Sequence, residues 1–182
     1  QLNLSTIVMK PYSFTDTIFA LATPPGRSAL AIIRVSGPQA GNVAKLFGAA
    51  ALLPRRAQRR WLKGKDGKLI DDVMMITFVG PHSATGEDVT EIHCHGSPAV
   101  VEDILNHFAA ISGFRLAEAG EFTRRALDND KIDITSAEGL ADLIDADTSL
   151  QREQAVAQMA GSLRRPVESW RAEIISCMSD LE

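Results

Sequence analysis

The stretch TGEDVTEIHCHG, residues 85–96, is the most informative in the chain, because it places a glutamate, two histidines and a cysteine within five residues. Its alternation of apolar and polar residues indicates a β-strand, in which successive side chains point to opposite faces. Glu91, His93 and His95 then share one face, and Cys94 points to the other as a small apolar residue. The sequence therefore predicts a sheet with one polar strand face.

Three interpretations of this polar face stay open from the residues alone. Glu91, His93 and His95 have the donor types that suit zinc or iron, although steps of two along one strand provide only three ligands. Alternatively, the face is a polar strand end, whose histidines cap the next helix or bond to the backbone. In the third interpretation, Glu91 accepts two parallel hydrogen bonds from an N–H/NH₂ edge, as in a pterin or guanine ring. Gly96 would then let the ligand approach the backbone closely.

The overall composition narrows the class of protein. The chain has 182 residues, 45% of them hydrophobic, which is enough for a sizeable core. Its net charge of −4 is unusual for a protein that binds nucleic acid over its whole surface, so any RNA contact is expected to be local. The two cysteines are far apart in the sequence, which predicts a reducing compartment rather than a disulfide framework. The sequence has no apolar run of about 18 residues, so no membrane span is expected. We therefore expect a cytoplasmic protein.

The chain changes pattern near residue 134. Before it, short apolar runs that predict strands alternate with helical stretches, among them a helix from Pro98 with Ser97 as N-cap and Gly113 as C-cap. After it, the pattern is helical throughout, opened by a capping-box spacing of Thr135 with Glu138. The fold class expected is α+β: a mixed α/β domain, then a long-helix segment of an all-α domain.

Domain limits follow from this change. Residues 1–15 are expected to be a leader or residues added for expression, 16–133 the α/β domain, and 134–182 the start of a helical domain. Apolar residues at steps of three and four from Val156 to Leu181 form a heptad-like seam, which requires partner helices.

A second capping-box spacing, Ser36 with Gln39, predicts a helix after residue 37.

A basic stretch lies within residues 49–68 and is predicted to be a loop or an edge hairpin. Such a run could contact RNA, but a solvated surface is the simpler interpretation. Its cations are Arg55, Arg56, Arg59, Arg60, Lys63, Lys65 and Lys68.

Four stretches, taken together and in order, resemble the N-terminal part of the MnmE (TrmE) family of tRNA-modification GTPases. The resemblance covers nearly the whole chain from Asp16 onward, and it implies a folate-binding domain like that of aminomethyltransferases, followed by part of a helical domain. The stretches are DTIFALATPPGRSALAIIRVSG (16–37), TGEDVTEIHCHGSPAV (85–100), EAGEFTRRALDNDKIDITSAEGLADLIDA (118–146) and QMAGSLRRPVESWR (158–171).

The resemblance also implies three folate contacts. These are Arg34 in the IIRVSG strand, Glu91 in the strand before His95, and Lys131 in the segment after Asn129. The cofactor implied is 5-formyl- or 5,10-methylene-tetrahydrofolate. No catalytic residue and no metal ligand is implied within this stretch.

For the whole protein, the resemblance implies a homodimer that pairs through its N-terminal domain and works with the flavoprotein GidA (MnmG). Together they would modify the wobble uridine of tRNA, with GTP, magnesium and potassium used by a GTP-binding domain. The printed sequence contains no G-x-x-x-x-G-K-[ST] motif, so this stretch is not expected to hydrolyse GTP by itself. Three alternatives remain: a folate-dependent aminomethyltransferase, a metal-dependent hydrolase built on Glu91, His93 and His95, or a bare dimerisation module.

Overall fold

The computed structural model describes residues 15–162 and 164–179, which fall into two compact units that divide between Glu121 and Phe122. The domain limit predicted from the sequence pattern, 133/134, coincides with the start of the second helix of the second unit. Together the two units confirm the predicted mixed α/β domain followed by helices.

The first unit is built on a six-stranded sheet in the order β3-β4-β5-β2-β1-β6. Neighbouring strands are antiparallel except β1 and β6, which are parallel. The strands are β1 (Thr17–Leu21), β2 (Ser28–Ser36), β3 (Gln58–Lys63), β4 (Leu69–Phe78), β5 (Val89–Gly96) and β6 (Phe114–Leu116). The predicted strands are thus present, and the basic stretch is the edge hairpin of the sheet.

One face of the sheet forms the core, because alternate residues along each strand are apolar and buried. Cys94 lies there, as the alternation predicts, in the row of β5 that also holds Ile92. The helix α2 (Pro98–Ala109) covers this face with Ile104 and Phe108, and the Phe108 ring stacks on Phe114. We call the opposite face the outer face; it holds Arg34, Glu91 and the residues in register with them.

The start of helix α1 (Val43–Leu46) shows that a capping-box spacing in the sequence is not enough to identify the N-cap residue. The predicted capping box of Ser36 with Gln39 is wrong, because Ser36 ends β2 and donates to Glu87, and Gln39 makes no side-chain cap bond. A short 3₁₀ turn, Ala40–Asn42, precedes α1 instead.

The caps of α2 also differ from the prediction. Ser97 is its N-cap residue and Pro98 opens it, but the Ser97 side chain makes no cap hydrogen bond. The C-cap is Ala110 rather than Gly113, which has a φ of 83° in the turn before β6. The C-cap of the helix therefore lies three residues earlier than predicted.

The second unit contains helices rather than one continuous tail. They are α3 (Glu121–Asp128), α4 (Ile134–Ile144), α5 (Ser149–Met159) and α6 (Arg164–Ser179). The predicted seam is interrupted, because α5 ends at Met159 and Gly161, with a φ of 83°, lies in the turn that follows. Of the seam residues, Leu163 and Leu181 lie outside the described residues.

The N-cap of α4 is Asp133, whose carboxylate accepts from the Ser136 N–H at 2.7 Å, so the predicted capping box of Thr135 with Glu138 is wrong. A complete capping box instead opens α5, between Thr148 and Gln151. Helices α4 and α5 approach closely at Gly139, where an added Cβ would lie 3.1 Å from the Ala155 carbonyl oxygen. Among the described helices, none has the length and apolar character needed to cross a membrane.

Candidate functional site

Arg34 and Glu91 form an ion pair on the outer face of the sheet. They are direct cross-strand partners in the antiparallel pair β2–β5, which brings together residues 57 positions apart. The Arg34 Nε and Nη2 atoms donate to Glu91 Oε1 at 3.0 and 2.8 Å. The side chains are 33% and 19% exposed, so the pair is partly shielded yet accessible. The guanidinium therefore fixes the orientation of the carboxylate.

The second oxygen of Glu91 faces a histidine. His93 Nε2 lies 3.6 Å from Glu91 Oε2, beyond hydrogen-bond distance, and within the described part of the chain this buried nitrogen has no hydrogen-bond partner. A buried polar atom without a partner is uncommon and needs an explanation, such as an absent ligand or water. Glu91 Oε2 and His93 Nε2 thus offer an acceptor and a second polar atom side by side.

His95 does not belong to this cluster. Its Nδ1 lies 2.7 Å from Asp71 Oδ1 and its backbone N–H donates to Asp71 Oδ2, which ties β5 to β4 at the strand end. The described residues contain no group of three or more His, Cys, Asp or Glu side chains placed to hold a metal ion. The arrangement therefore gives no support to the metal alternative, which requires His95 beside Glu91 and His93.

Gly96 has a structural role that the sequence analysis missed. We expected its missing side chain to admit a ligand, but the space is filled by β2, since an added Cβ would lie 2.5 Å from the Ser28 carbonyl oxygen. The glycine thus permits the close approach of β2 and β5 at the strand end, and a register shift between Ser28 and Ala31 separates this contact from the Arg34–Glu91 pair.

Cys94 is chemically separate from the polar cluster. It points to the core face, where burial and, to a smaller extent, the Asp71 carboxylate raise the pKa of its thiol to about 11. Because the thiolate is the reactive form, this cysteine is a core residue and not a nucleophile or ligand.

Lys131 lies in the second unit, in the turn after α3. Its backbone N–H donates to the Ala126 carbonyl at 2.8 Å, and the preceding Asp130 has a φ of 53°, so the turn is tightly defined. Lys131 is exposed and borders an open pocket of about 780 Å³ within the second unit, between α3, α4 and the helices that follow. Apolar Leu140 and Met159 line this pocket beside polar Thr135.

Comparisons with known proteins identify two family matches. The family described as "GTP-binding protein TrmE N-terminus" matches residues 17–131, a range that contains Arg34, Glu91 and Lys131. The family described as "MnmE helical domain" matches residues 134–182.

Curated relatives match over nearly the whole chain. Three proteins named "tRNA modification GTPase MnmE" are 44% identical in Dinoroseobacter shibae, 50% in Maricaulis maris and 51% in Rhodopseudomonas palustris, each over 167 residues. These alignments cover 92%, 91% and 92% of this chain but only 39%, 38% and 38% of the relatives. The chain thus spans about two fifths of the length of the curated relatives it matches.

Proposed function

This chain belongs to the MnmE (TrmE) family, and on that premise we propose that its first unit holds a reduced folate for the modification of tRNA by the whole protein. The relatives are named for tRNA modification and for GTPase activity, and the chain matches about two fifths of their length. Wobble-uridine modification and GTP hydrolysis, with magnesium and potassium, are proposed for the whole protein from the family resemblance.

The single observation that carries the folate proposal is the Arg34–Glu91 pair with His93 beside it. A carboxylate has about four acceptor positions, and Arg34 uses two of them on Oε1. Oε2 keeps its acceptor capacity, which suits the N–H/NH₂ edge of a pterin. The buried His93 Nε2 offers a second polar contact to a ligand placed there.

Cationic side chains suit the remaining part of a folate. Arg34 can donate to a ring carbonyl, and Lys131 offers an ammonium group to carbonyl or carboxylate oxygens. The role of Lys131 is proposed from the family resemblance and from its exposure, separately from the sheet pair. The cofactor proposed is 5-formyl- or 5,10-methylene-tetrahydrofolate, which supplies a one-carbon unit when bound.

We expect titration calorimetry of the chain with 5-formyltetrahydrofolate to detect binding that Glu91→Ala abolishes. Loss of charge-assisted hydrogen bonds of about 1.5–3 kcal/mol weakens binding by at least about 10-fold. Glu102→Ala is the matched control, because Glu102 is an exposed glutamate on α2, which covers the opposite face of the sheet. Equal binding by the Glu91→Ala variant and the unchanged chain would remove Glu91 from the site.

For the assembly, we propose a cytoplasmic homodimer that pairs through the first unit and works with the flavoprotein GidA (MnmG) on tRNA. This proposal rests on the family resemblance, and the first unit exposes large apolar side chains that a protein contact can bury. They include Leu30, Leu53, Leu69, Val79 and Leu116.

A further inference from the structure

The positive charge of the chain is concentrated at one edge of the sheet. Seven of the 19 Lys and Arg residues lie in residues 55–68, a stretch with one carboxylate, although the whole chain has a net charge of −4. This stretch contains the edge strand β3 and its turn toward β4, and we call the border that its side chains form the β3 edge. Alternation divides this border between two faces: Arg59 and Trp61 lie on the outer face, whereas Arg60 lies on the side of buried Leu62.

Several of these cations bond to neutral oxygens. Arg55 donates to the His82 carbonyl at 2.6 Å, Arg60 to the carbonyls of Ala50 and Ala51 at 3.2 Å, and Lys65 to the Ala110 carbonyl at 3.2 Å. Such bonds hold the side chains in place without cancelling their charge. Two other cations are ion-paired, Arg59 with Asp72 and Lys68 with Asp66. The positive potential of the β3 edge therefore comes from the remaining five cations, and it favours a polyanion.

Trp61 lies in the middle of this surface. Its side chain is 51% exposed on the outer face of β3, opposite Asp72 in register, and the Arg59 guanidinium carbon lies 5.9 Å from its ring centroid. Arg59 is itself fixed by Asp72, whose two oxygens each accept from Arg59 Nε at 2.8 Å. The indole is thus an exposed aromatic surface whose neighbour is held in a defined geometry.

Protection of the sheet edge does not account for this arrangement. Charged residues on an edge strand prevent pairing with other chains, which explains the lysines and arginines. An exposed tryptophan in the same strand acts against that purpose, since it adds apolar area to the edge. An aromatic ring between cations is instead the arrangement that stacks an unpaired base and neutralises the phosphates beside it.

We propose that the β3 edge binds a single-stranded segment of RNA, with an unpaired base stacked on Trp61 and with Lys63 and neighbouring cations on the phosphates. The choice of RNA rests on the proposed function in tRNA modification, whereas the charge and the aromatic ring are independent of it. Arg59 is in register with Met74 and His93 on the outer face. At the usual strand spacing, the β3 edge is roughly 10 Å from the strand that holds Glu91.

The test measures binding of a fluorescein-labelled oligouridine of about 12 nucleotides by anisotropy, a length within the range of known single-strand sites. We expect Trp61→Ala to weaken binding about 5- to 100-fold, the range for loss of one base–aromatic stack, and Trp61→Phe to retain most of it. Trp170→Ala is the matched control, since Trp170 is 61% exposed on α6. It should bind the oligonucleotide as the unchanged chain does.

Two further measurements separate stacking from charge alone. Binding should weaken steeply between about 50 and 200 mM salt, and Lys63→Glu should reduce that salt dependence. A duplex RNA of the same length offers no unpaired base, so Trp61→Ala should leave its weaker binding unchanged. If Trp61→Ala leaves the binding of both RNAs unchanged, or weakens the binding of both equally, the stacking role of Trp61 is wrong.

Two further outcomes would overturn the proposal, and a folate-binding control separates it from the proposed folate site. No oligonucleotide binding by the unchanged chain at low salt would disprove it, and so would weakened self-association of Trp61→Ala with unchanged RNA binding. Trp61→Ala should still bind 5-formyltetrahydrofolate, which also shows that the variant is folded. Loss of folate binding in Glu91→Ala with normal RNA binding would leave both proposals standing.

Discussion

The two cysteines differ in the properties that govern thiol reactivity. Cys94 is buried on the core face, where burial raises the pKa of its thiol to about 11, and Cys177 is exposed on α6. We expect iodoacetamide at about pH 8 to alkylate Cys177 and leave Cys94 unmodified until urea unfolds the chain, as read by peptide mass spectrometry. Cys177→Ser should then show no alkylation in the folded state, and rapid labelling of that variant would contradict the buried position of Cys94.

The raised thiol pKa also has a consequence for stability at alkaline pH. The pKa of Cys94 is higher in the folded chain, about 11, than its ordinary value of 9.0. The stability associated with the protonated thiol is therefore fully present below pH 9.0 and is lost as pH rises toward 11. At the scale of residues, burial thus determines both the reactivity of Cys94 and its pH dependence.

Among the elements, α5 has the best-defined start. The Thr148 hydroxyl accepts from the Gln151 N–H at 3.2 Å, and the Gln151 side chain accepts from the Thr148 N–H at 2.9 Å. We expect Thr148→Ala to lower the free energy of unfolding of the helical unit by about 1 kcal/mol in urea denaturation, because the Gln151 N–H loses the hydroxyl that accepts its hydrogen bond. Thr148→Ser keeps the hydroxyl and should lose much less; equal losses would show that the cap contributes nothing.

At the scale of the whole molecule, exposed apolar side chains of the first unit predict self-association. We expect sedimentation velocity to show a concentration-dependent shift from monomer to dimer, because burial of these side chains from water favours association. Trp61→Ala should associate as the unchanged chain does, since Trp61 is assigned to RNA. A chain that stays monomeric at high concentration would contradict the proposed dimer.

The sequence by itself determined the features that depend on local pattern. Alternation along β5 placed Glu91 and His93 on one face and Cys94 on the other, because the side-chain period of a strand is two residues. Ser97 and Pro98 located the start of α2. Four ordered motifs identified the family, which the comparisons show.

Only the tertiary structure decided which distant groups meet. Strand register sets Arg34 directly opposite Glu91, and the contact of the His95 ring with Asp71 keeps that ring apart from them. The N-cap of α4 is likewise decided by the structure, since Asp133 accepts a hydrogen bond from the Ser136 N–H, whereas the sequence pattern pointed to Thr135. Register and cap choice depend on packing between segments far apart in the chain, and a pattern of neighbouring residues does not contain that information.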